Sequence, residues 1–218
     1  NYLIKRSEEL GYKISYKVVN AADYGIAQTR ERFICVGVKK NLKSFEYPQP
    51  THSETSQNGL KPWITCGDIL SDIDIDLPED EKMQAGSKHK ALLKLVPPGD
   101  NYLFFTKERG HKKPLFKWRS RYWSFLLKLS PSRPSWTIQA SHSNNMGPFH
   151  WNNRFLRIQE IKRIQSFEDE YYLVGNFREQ WRQVGNAVPP KLAEVFAKQI
   201  KTQYLNVKVL NKRKVNAL

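Results

Sequence analysis

The sequence predicts a mixed α/β chain in three successive parts: the tail of an α/β sheet, a mixed, mostly β middle, and closing helices. Three observations predict it. Lys13 to Asn20 alternates, with Ile14, Tyr16 and Val18 on one side, and Arg32 to Val38 is a short apolar run; both are strand patterns. From about Asn41 the composition shifts to Pro, Ser, Asn and Gly, with short extended pieces between turns. Near the end, Leu192, Val195, Phe196 and Ile200 recur at helical spacing behind Pro189-Pro190, residues suited to a first helical turn.

In chain order, Leu3 to Leu10 reads as a short helix ending at Gly11, and Lys13 to Asn20 as a strand. Ala21 to Ala27 connects, broken at Gly25. Arg32 to Val38 reads as a buried strand, with Cys35 buried and inert inside it. Pro48, Pro50 and Gly59 mark a loop, Trp63-Ile64-Thr65 is extended, and the acidic stretch Asp68 to Asp80 is ended by Pro78. Pro97-Pro98-Gly99-Asp100 is a turn. Lys112 to Lys128 is dense in cations and rings, of which Trp123, Phe125 and Leu127 read as core. Ser135 to Ala140 is a strand candidate. Leu156 to Phe167 carries a helix stripe through Ile158, Ile161 and Ile164, with Glu160 and Arg163 one turn apart and able to pair. Lys208 to Lys214 is a basic tail.

The 218 residues carry 36 Lys and Arg against 21 Asp and Glu, a net charge of +15. Clustered cations displace condensed counterions from nucleic acid, so a polyanionic partner is expected. The two cysteines, Cys35 and Cys66, have neither metal-ligand spacing nor the look of a disulfide scaffold. His111, His142 and His150 have no metal spacing either and read as loop or DNA-facing residues. No metal is expected. No run reaches transmembrane length and no signal peptide is visible, which fits an intracellular compartment and no membrane partner. The chain begins at Asn1 rather than Met, as expected of a fragment or processed piece.

Gln28, Arg30 and Arg32 alternate before the apolar run and can place an amide and two guanidiniums on one face. A guanidinium is planar, permanently charged and a multiple donor, suited to a base carbonyl or a phosphate. It is equally suited to a solvated edge or to pairing with a local acid such as Glu31 or Asp23. In the middle, Lys112, Lys113, Lys117, Arg119 and Arg121 interleave with Phe116, Trp118, Tyr122 and Trp123, a composition that suits phosphate contacts and base-edge reading.

The segment Asn20 to Gln28 with Arg30 and Arg32 resembles the entry into the Gln-X-Arg-X-Arg motif of the cytosine-5 DNA methyltransferases, with Ala27 where that family usually has Pro. Arg154 to Phe167 is similar to its next motif through Arg154, Leu156, Glu160, Arg163, Gln165 and Phe167. Arg157 there replaces a frequent Ser or Thr, and losing that helix cap costs about 1 kcal/mol unless something compensates. Gln183-Val184-Gly185-Asn186-Ala187-Val188-Pro189-Pro190 matches a third motif without departure. Thr137-Ile138 matches the pair that ends the family's recognition domain. The resemblance implies a Rossmann-like S-adenosylmethionine-dependent sheet, of which this is the C-terminal part. It implies that Arg32 contacts the carbonyl oxygen of a flipped cytosine and that Arg30 holds the catalytic carboxylate and base in register. Asn186, Ala187 and Val188 would touch S-adenosylmethionine. Thr137 would bind the DNA backbone, with Gln28, Lys117, Arg119 and Arg121 also toward DNA.

The parts implied are 1–40, the tail of the catalytic domain; 41–152, the target-recognition domain; 153–205, helices returning to the catalytic side; and 206–218, a basic tail. The family's chemistry requires a thiolate from a Pro-Cys dipeptide attacking cytosine C6. Neither Cys35 nor Cys66 follows a proline, and the Glu-Asn-Val triplet and Gly-rich cofactor loop have no match in this sequence. The expectation is a partial enzyme acting on double-stranded DNA with an N-terminal catalytic half, in a bacterial restriction-modification setting at the nucleoid. The alternative is a non-catalytic, sequence-selective DNA-binding remnant. Without its complement the chain should present an open sheet edge.

Overall fold

A computed structural model describes residues 2–205, except Gly86 and His142 and the side chain of Asn58. The basic tail and His142 lie outside the described residues. The chain opens with α1 (Tyr2–Glu9), stopped where Gly11 takes φ +83°, a left-handed conformation that costs glycine nothing. Strand β1 (Tyr12–Asn20) follows. After a 3₁₀ turn (Ala21–Tyr24) come β2 (Gln28–Thr29) and β3 (Glu31–Lys39). β1 and β3 pair antiparallel from Tyr12↔Lys39 to Asn20↔Glu31.

Among the described residues this two-stranded sheet is covered on one face only. Val19, Ile34, Val36 and Val38 pack with Phe45, Tyr47, Leu192 and Phe196. The other face carries the cross-strand pairs Tyr16↔Cys35 and Val18↔Phe33, and Tyr16 and Phe33 remain 57% and 59% exposed. β3 is therefore not a buried strand, and Cys35 is exposed rather than buried. Alternate residues of a strand point to opposite faces, and full burial needs a second layer on each.

The middle is built from turns. β4 (His52–Ser53) and β5 (Lys61–Pro62) are two-residue parallel partners. Helix α2 (Cys66–Leu70) is capped by Thr65 and Asp68 reciprocally, at 3.1 and 2.8 Å. Pro78 opens a 3₁₀ segment (Pro78–Met83) rather than ending the acidic stretch. Helix α3 (Lys90–Leu95) precedes a knot of turns whose core is Leu93, Val96, Tyr102, Phe105, Phe125 and Phe149. The β character rests on isolated bridges and on β6 (Ser135–Trp136), shorter than the alternation suggests and parallel to β2. Phe125 and Leu127 are buried as expected, but Trp123 is 54% exposed and belongs to the surface.

Three α-helices follow, α4 (Ile158–Ile164), α5 (Phe177–Asn186) and α6 (Pro190–Ile200), and a π-helical turn (Lys201–Leu205) finishes the described chain. Ile161, Ile164, Trp181 and Val184 pack with Cys66, Leu70, Leu129 and Ile138, joining the helices to the middle. The run from Gln183 to Pro190 does not simply open a helix; it ends α5, turns, and begins α6.

An ionic network sets how α4 meets the middle. Glu160 turns inward, fully buried, and accepts from Arg154 at 2.9 and 2.7 Å, while Arg163 binds Asp72 at 2.5 Å and Asp169. The expected Glu160–Arg163 pair does not form, because each finds a better-placed partner from another segment. Arg157, at the start of α4, offers no hydroxyl cap. Its backbone N–H still donates to Glu160 (2.7 Å), and its guanidinium donates to Asp80 and to the carbonyls of Ile73 and Ile75 at 3.0 and 2.7 Å. These bonds compensate for the missing cap. His150 is buried in the same network and is not DNA-facing. Burial, then Arg154 and Arg157, pushes its pKa down to about 3. His111 is half-buried against Phe104 and Phe105.

Candidate active-site wall and nucleic-acid interface

Between β2 and β3 the chain passes Arg30, only 3% exposed. Its backbone is set by Asn20, whose side-chain oxygen accepts from the N–H groups of Ala22 (3.2 Å) and Arg30 (3.1 Å). One terminal nitrogen of the guanidinium donates to Gln28 Oε1 (3.3 Å) and the carbonyl of Ile138 (2.9 Å). The other donates to the carbonyls of Gly185 (2.8 Å) and Ala187 (3.3 Å). Four acceptors around one fork make a charge-assisted cluster. Burial, then the neighbouring Arg32 charge, lowers the Arg30 pKa to about 10, which leaves it charged at neutral pH. Its Nε is buried and has no partner among the described residues. Gln28 is fully buried; its Oε1 also accepts from Ile138 N–H at 3.0 Å, and its Nε2 is unpartnered. Arg32 is half-exposed and donates to the carbonyl of Glu31 at 2.7 Å. Neither local acid pairs with these arginines: Asp23 accepts from Trp63 instead.

The same cluster fixes the neighbouring strands. Thr29 Oγ1 donates to Ser135 O, and Thr137 Oγ1 donates to Thr29 O, both at 3.1 Å. Thr137 is exposed and lines a cleft of about 640 Å³ with Thr29, Trp136, Gln139, Tyr122 and Trp123. Behind it, Gly185 packs on the backbone of the middle: a Cβ there would lie 2.5 Å from Gln139 O and 2.8 Å from Ala140 Cα. The close approach this glycine permits is thus to protein backbone. Gln165 and Trp181 reinforce the junction, donating to Val184 O and Gln139 O at 2.9 Å each. Asn186 and Val188 face outward beside this junction, and Ala187 is half-buried.

Lys117, Arg119 and Arg121 are exposed on a separate loop and, among the described residues, share no hydrogen bond with the Arg30 cluster. Arg119 and Arg121 line a second cleft of about 650 Å³, whose wall of Tyr122 and Trp123 is shared with the first. Sequence reasoning placed Tyr122 and Trp123 among these cations but read Trp123 as core. It missed Trp136, which meets Trp123 at 6.4 Å between ring centroids. A half-exposed ring has no periodic signature; the only signal was its placement among cations. Cys66 is buried and its thiol is pushed up to about 12 by burial, the opposite of an activated nucleophile. Among the described residues no cluster of His, Cys, Asp or Glu could hold a metal ion, and no helix is long and apolar enough to cross a membrane.

The profile of the C-5 cytosine-specific DNA methylases matches residues 1–202. The chain is 38% identical over 217 residues to the type II methyltransferase M.SacI of Streptomyces achromogenes, covering 92% of this chain and 55% of that protein. It is 34% identical over 200 residues to the type II methyltransferase M.NgoFVII of Neisseria gonorrhoeae, covering 91% and 52%. It thus spans about half the length of these curated relatives. The methyltransferase EhMeth of Entamoeba histolytica shares the fold, with a TM-score of 0.53 at 14% identity over 92% of this chain and 57% of its own. The chain belongs to the C-5 cytosine-specific DNA methylase family and corresponds to the C-terminal portion of its relatives.

Proposed function

We propose that this chain is the target-recognition half of an enzyme that transfers a methyl group from S-adenosylmethionine to C5 of a cytosine swung out of a specific double-stranded DNA site. A complementary N-terminal half, joined or separate, supplies the thiolate, the catalytic glutamate and most cofactor contacts. The setting is bacterial restriction-modification, in the cytoplasm at the nucleoid. The observation that carries this reading is the Arg30 cluster. One buried guanidinium draws the Gln28–Arg32 run, the Thr137–Ile138 pair and the Gly185–Ala187 turn to one place.

Around that cluster each residue has a role. Arg32 is half-exposed beside it and donates to the carbonyl oxygen of the extruded base. Arg30 organises the wall, and its buried, unpartnered Nε suits a carboxylate from the complementary half. Gln28 acts through the backbone of Ile138, keeping Thr137 aimed at the DNA backbone. Lys117, Arg119 and Arg121 contact the duplex. Asn186 brings an amide and Val188 an apolar side chain to an open turn, which fits one wall of a site for S-adenosylmethionine, with Ala187 contributing main chain. When bound, that donor supplies an electrophilic methyl group. Residues 1–40 extend the catalytic sheet, 41–152 recognise the target, 153–205 return to the catalytic side, and 206–218 form a basic tail. The uncovered apolar face of β1 and β3 is where the complementary half docks.

A second reading, sequence-selective DNA binding without methyl transfer, draws on the cysteines. Cys66 is buried with a raised pKa and Cys35 lies on the outer sheet face, so neither offers a nucleophile at the clefts. Bisulfite sequencing of DNA from cells carrying this gene with its upstream neighbour separates the two. Protected cytosines at one recurring site support the enzyme; uniform conversion supports the binding protein.

A further inference from the structure

The loop from Lys117 to Trp123 is held by its backbone while its side chains stay exposed. Tyr102 is buried, and its hydroxyl donates to Arg121 O (2.9 Å) and accepts from Arg121 N–H (3.1 Å). Fully buried Asn101 donates from Nδ2 to Trp123 O at 2.8 Å. Ser120 closes the tip, donating from Oγ (2.7 Å) and N–H (3.2 Å) to Lys117 O. Arg119 is held at φ +52°, a left-handed conformation uncommon for a residue other than glycine. Trp118, Arg119, Arg121, Tyr122 and Trp123 nonetheless all face solvent. A rigid frame with exposed side chains is what a reading element needs, because little ordering entropy is lost on contact.

The cations of the middle and of α4 divide by partner. Arg109 is tied to Asp100 (2.6 Å), Arg157 to Asp80, and Arg163 to Asp72 and Asp169. Arg119 has no acidic partner and no hydrogen bond to its guanidinium among the described residues. That group sits over the Trp118 ring, 5.9 Å from its centroid. The ring attracts the cation, and no described residue accepts from its N–H groups. Lys117 is likewise exposed but is a point charge on a flexible stem.

We infer that Lys117–Trp123 is the base-reading loop of this chain, with Arg119 donating both N–H groups to a guanine edge in the major groove and Lys117 neutralising phosphate. This rests on the proposed DNA substrate and adds which residues decide its sequence. Two parallel guanidinium donors match the paired acceptors O6 and N7 of guanine, and no other base offers that pair. The shared Tyr122–Trp123 wall places this cleft next to the one holding Thr29 and Thr137, so one duplex can engage both.

The test is selection from a randomised DNA duplex pool by the whole chain, as wild type, Arg119→Lys, Arg119→Gly and Lys117→Ala. Thermal melts confirm folding; glycine suits the left-handed backbone. Wild type should enrich a motif containing guanine. Arg119→Lys should bind the pool within about twofold of wild type but lose about tenfold or more of the preference at one guanine position. Arg119→Gly should lose the same position. Lys117→Ala should weaken all sequences alike and lower the salt slope by about one. If both Arg119 variants enrich the wild-type motif unchanged, the inference is wrong. Wild-type binding without preference also overturns it and leaves the DNA substrate standing; no duplex binding at all removes both.

Discussion

Arg30 donates to the carbonyl oxygen of Gly185 at 2.8 Å, across 155 positions of sequence. The same guanidinium reaches Ile138, 108 positions away. Ile138 belongs to the core around α4 and α5, and Arg30 follows β2 beside the core under β1 and β3, so this buried fork locks those two cores in register. Lysine keeps the charge but reaches fewer acceptors. Arg30→Lys should therefore lose about 3 kcal/mol of stability, read by urea unfolding. A change within error would mean the cluster does not hold the parts together.

Gly185→Ala sets two effects against each other. Alanine in a helix gains about 1 kcal/mol over glycine. Against this, the new methyl meets Gln139 O and Ala140 Cα, backbone atoms that cannot rotate away. Overpacking against fixed atoms wins, and a net loss of about 1–2 kcal/mol is expected. Equilibrium unfolding measures it, and the Trp181–Gln139 contact beside it should give a changed tryptophan fluorescence.

His150 predicts an acid-sensitive junction between α4 and the middle. Its Nδ1 accepts from Asn152 N–H at 3.1 Å, so the proton lies on Nε2, which finds no hydrogen bond among the described residues. Asp74 is near but accepts from Trp151 and Asn152, and Glu160 is held by Arg154, so the imidazole stays neutral. The folded pKa is about 3 against an ordinary 6.5. The folded state therefore binds fewer protons. Stability is full above about pH 6.5 and falls below it, by up to about 1.4 kcal/mol per pH unit, until pH 3. His150→Gln should flatten that slope in unfolding curves taken between pH 4 and pH 7, whatever it does to stability at neutral pH.

The two cysteines should separate under a thiol reagent. Cys35, exposed, should label in the native chain; Cys66, buried with its thiol pushed up to about 12, should label only after denaturation. Mass spectrometry of the digests decides it. A bulky label on Cys35 should also block docking of the complementary half on the Tyr16–Phe33 face, measured by co-elution.

What was legible follows from range. β1, β3 and α6 were legible because their patterns are local. So were the residues of the Arg30 and Gly185 motifs. The geometry of Arg30 was not, because its acceptors are mostly main-chain carbonyls, which have no letter in the sequence. The inward turn of Glu160 depends on the segment just before α4 folding back so that Arg154, six residues earlier, and His150 meet it, a pairing outside helical spacing. β3 was misread as buried because an apolar run does not say how many layers cover it. α5 did carry a signal, the Asn176–Glu179 capping box, bonded at 2.8 and 3.1 Å, ahead of Trp181 and Val184.

The most direct test of the central claim uses this chain mixed with a complementary N-terminal half, duplex DNA and a tritiated methyl donor. Wild type should incorporate label as 5-methylcytosine. Arg32→Ala should abolish incorporation while assembly and DNA binding persist. Full incorporation by Arg32→Ala, or none by wild type with both halves folded and associated, would contradict the assignment of this wall to the active site.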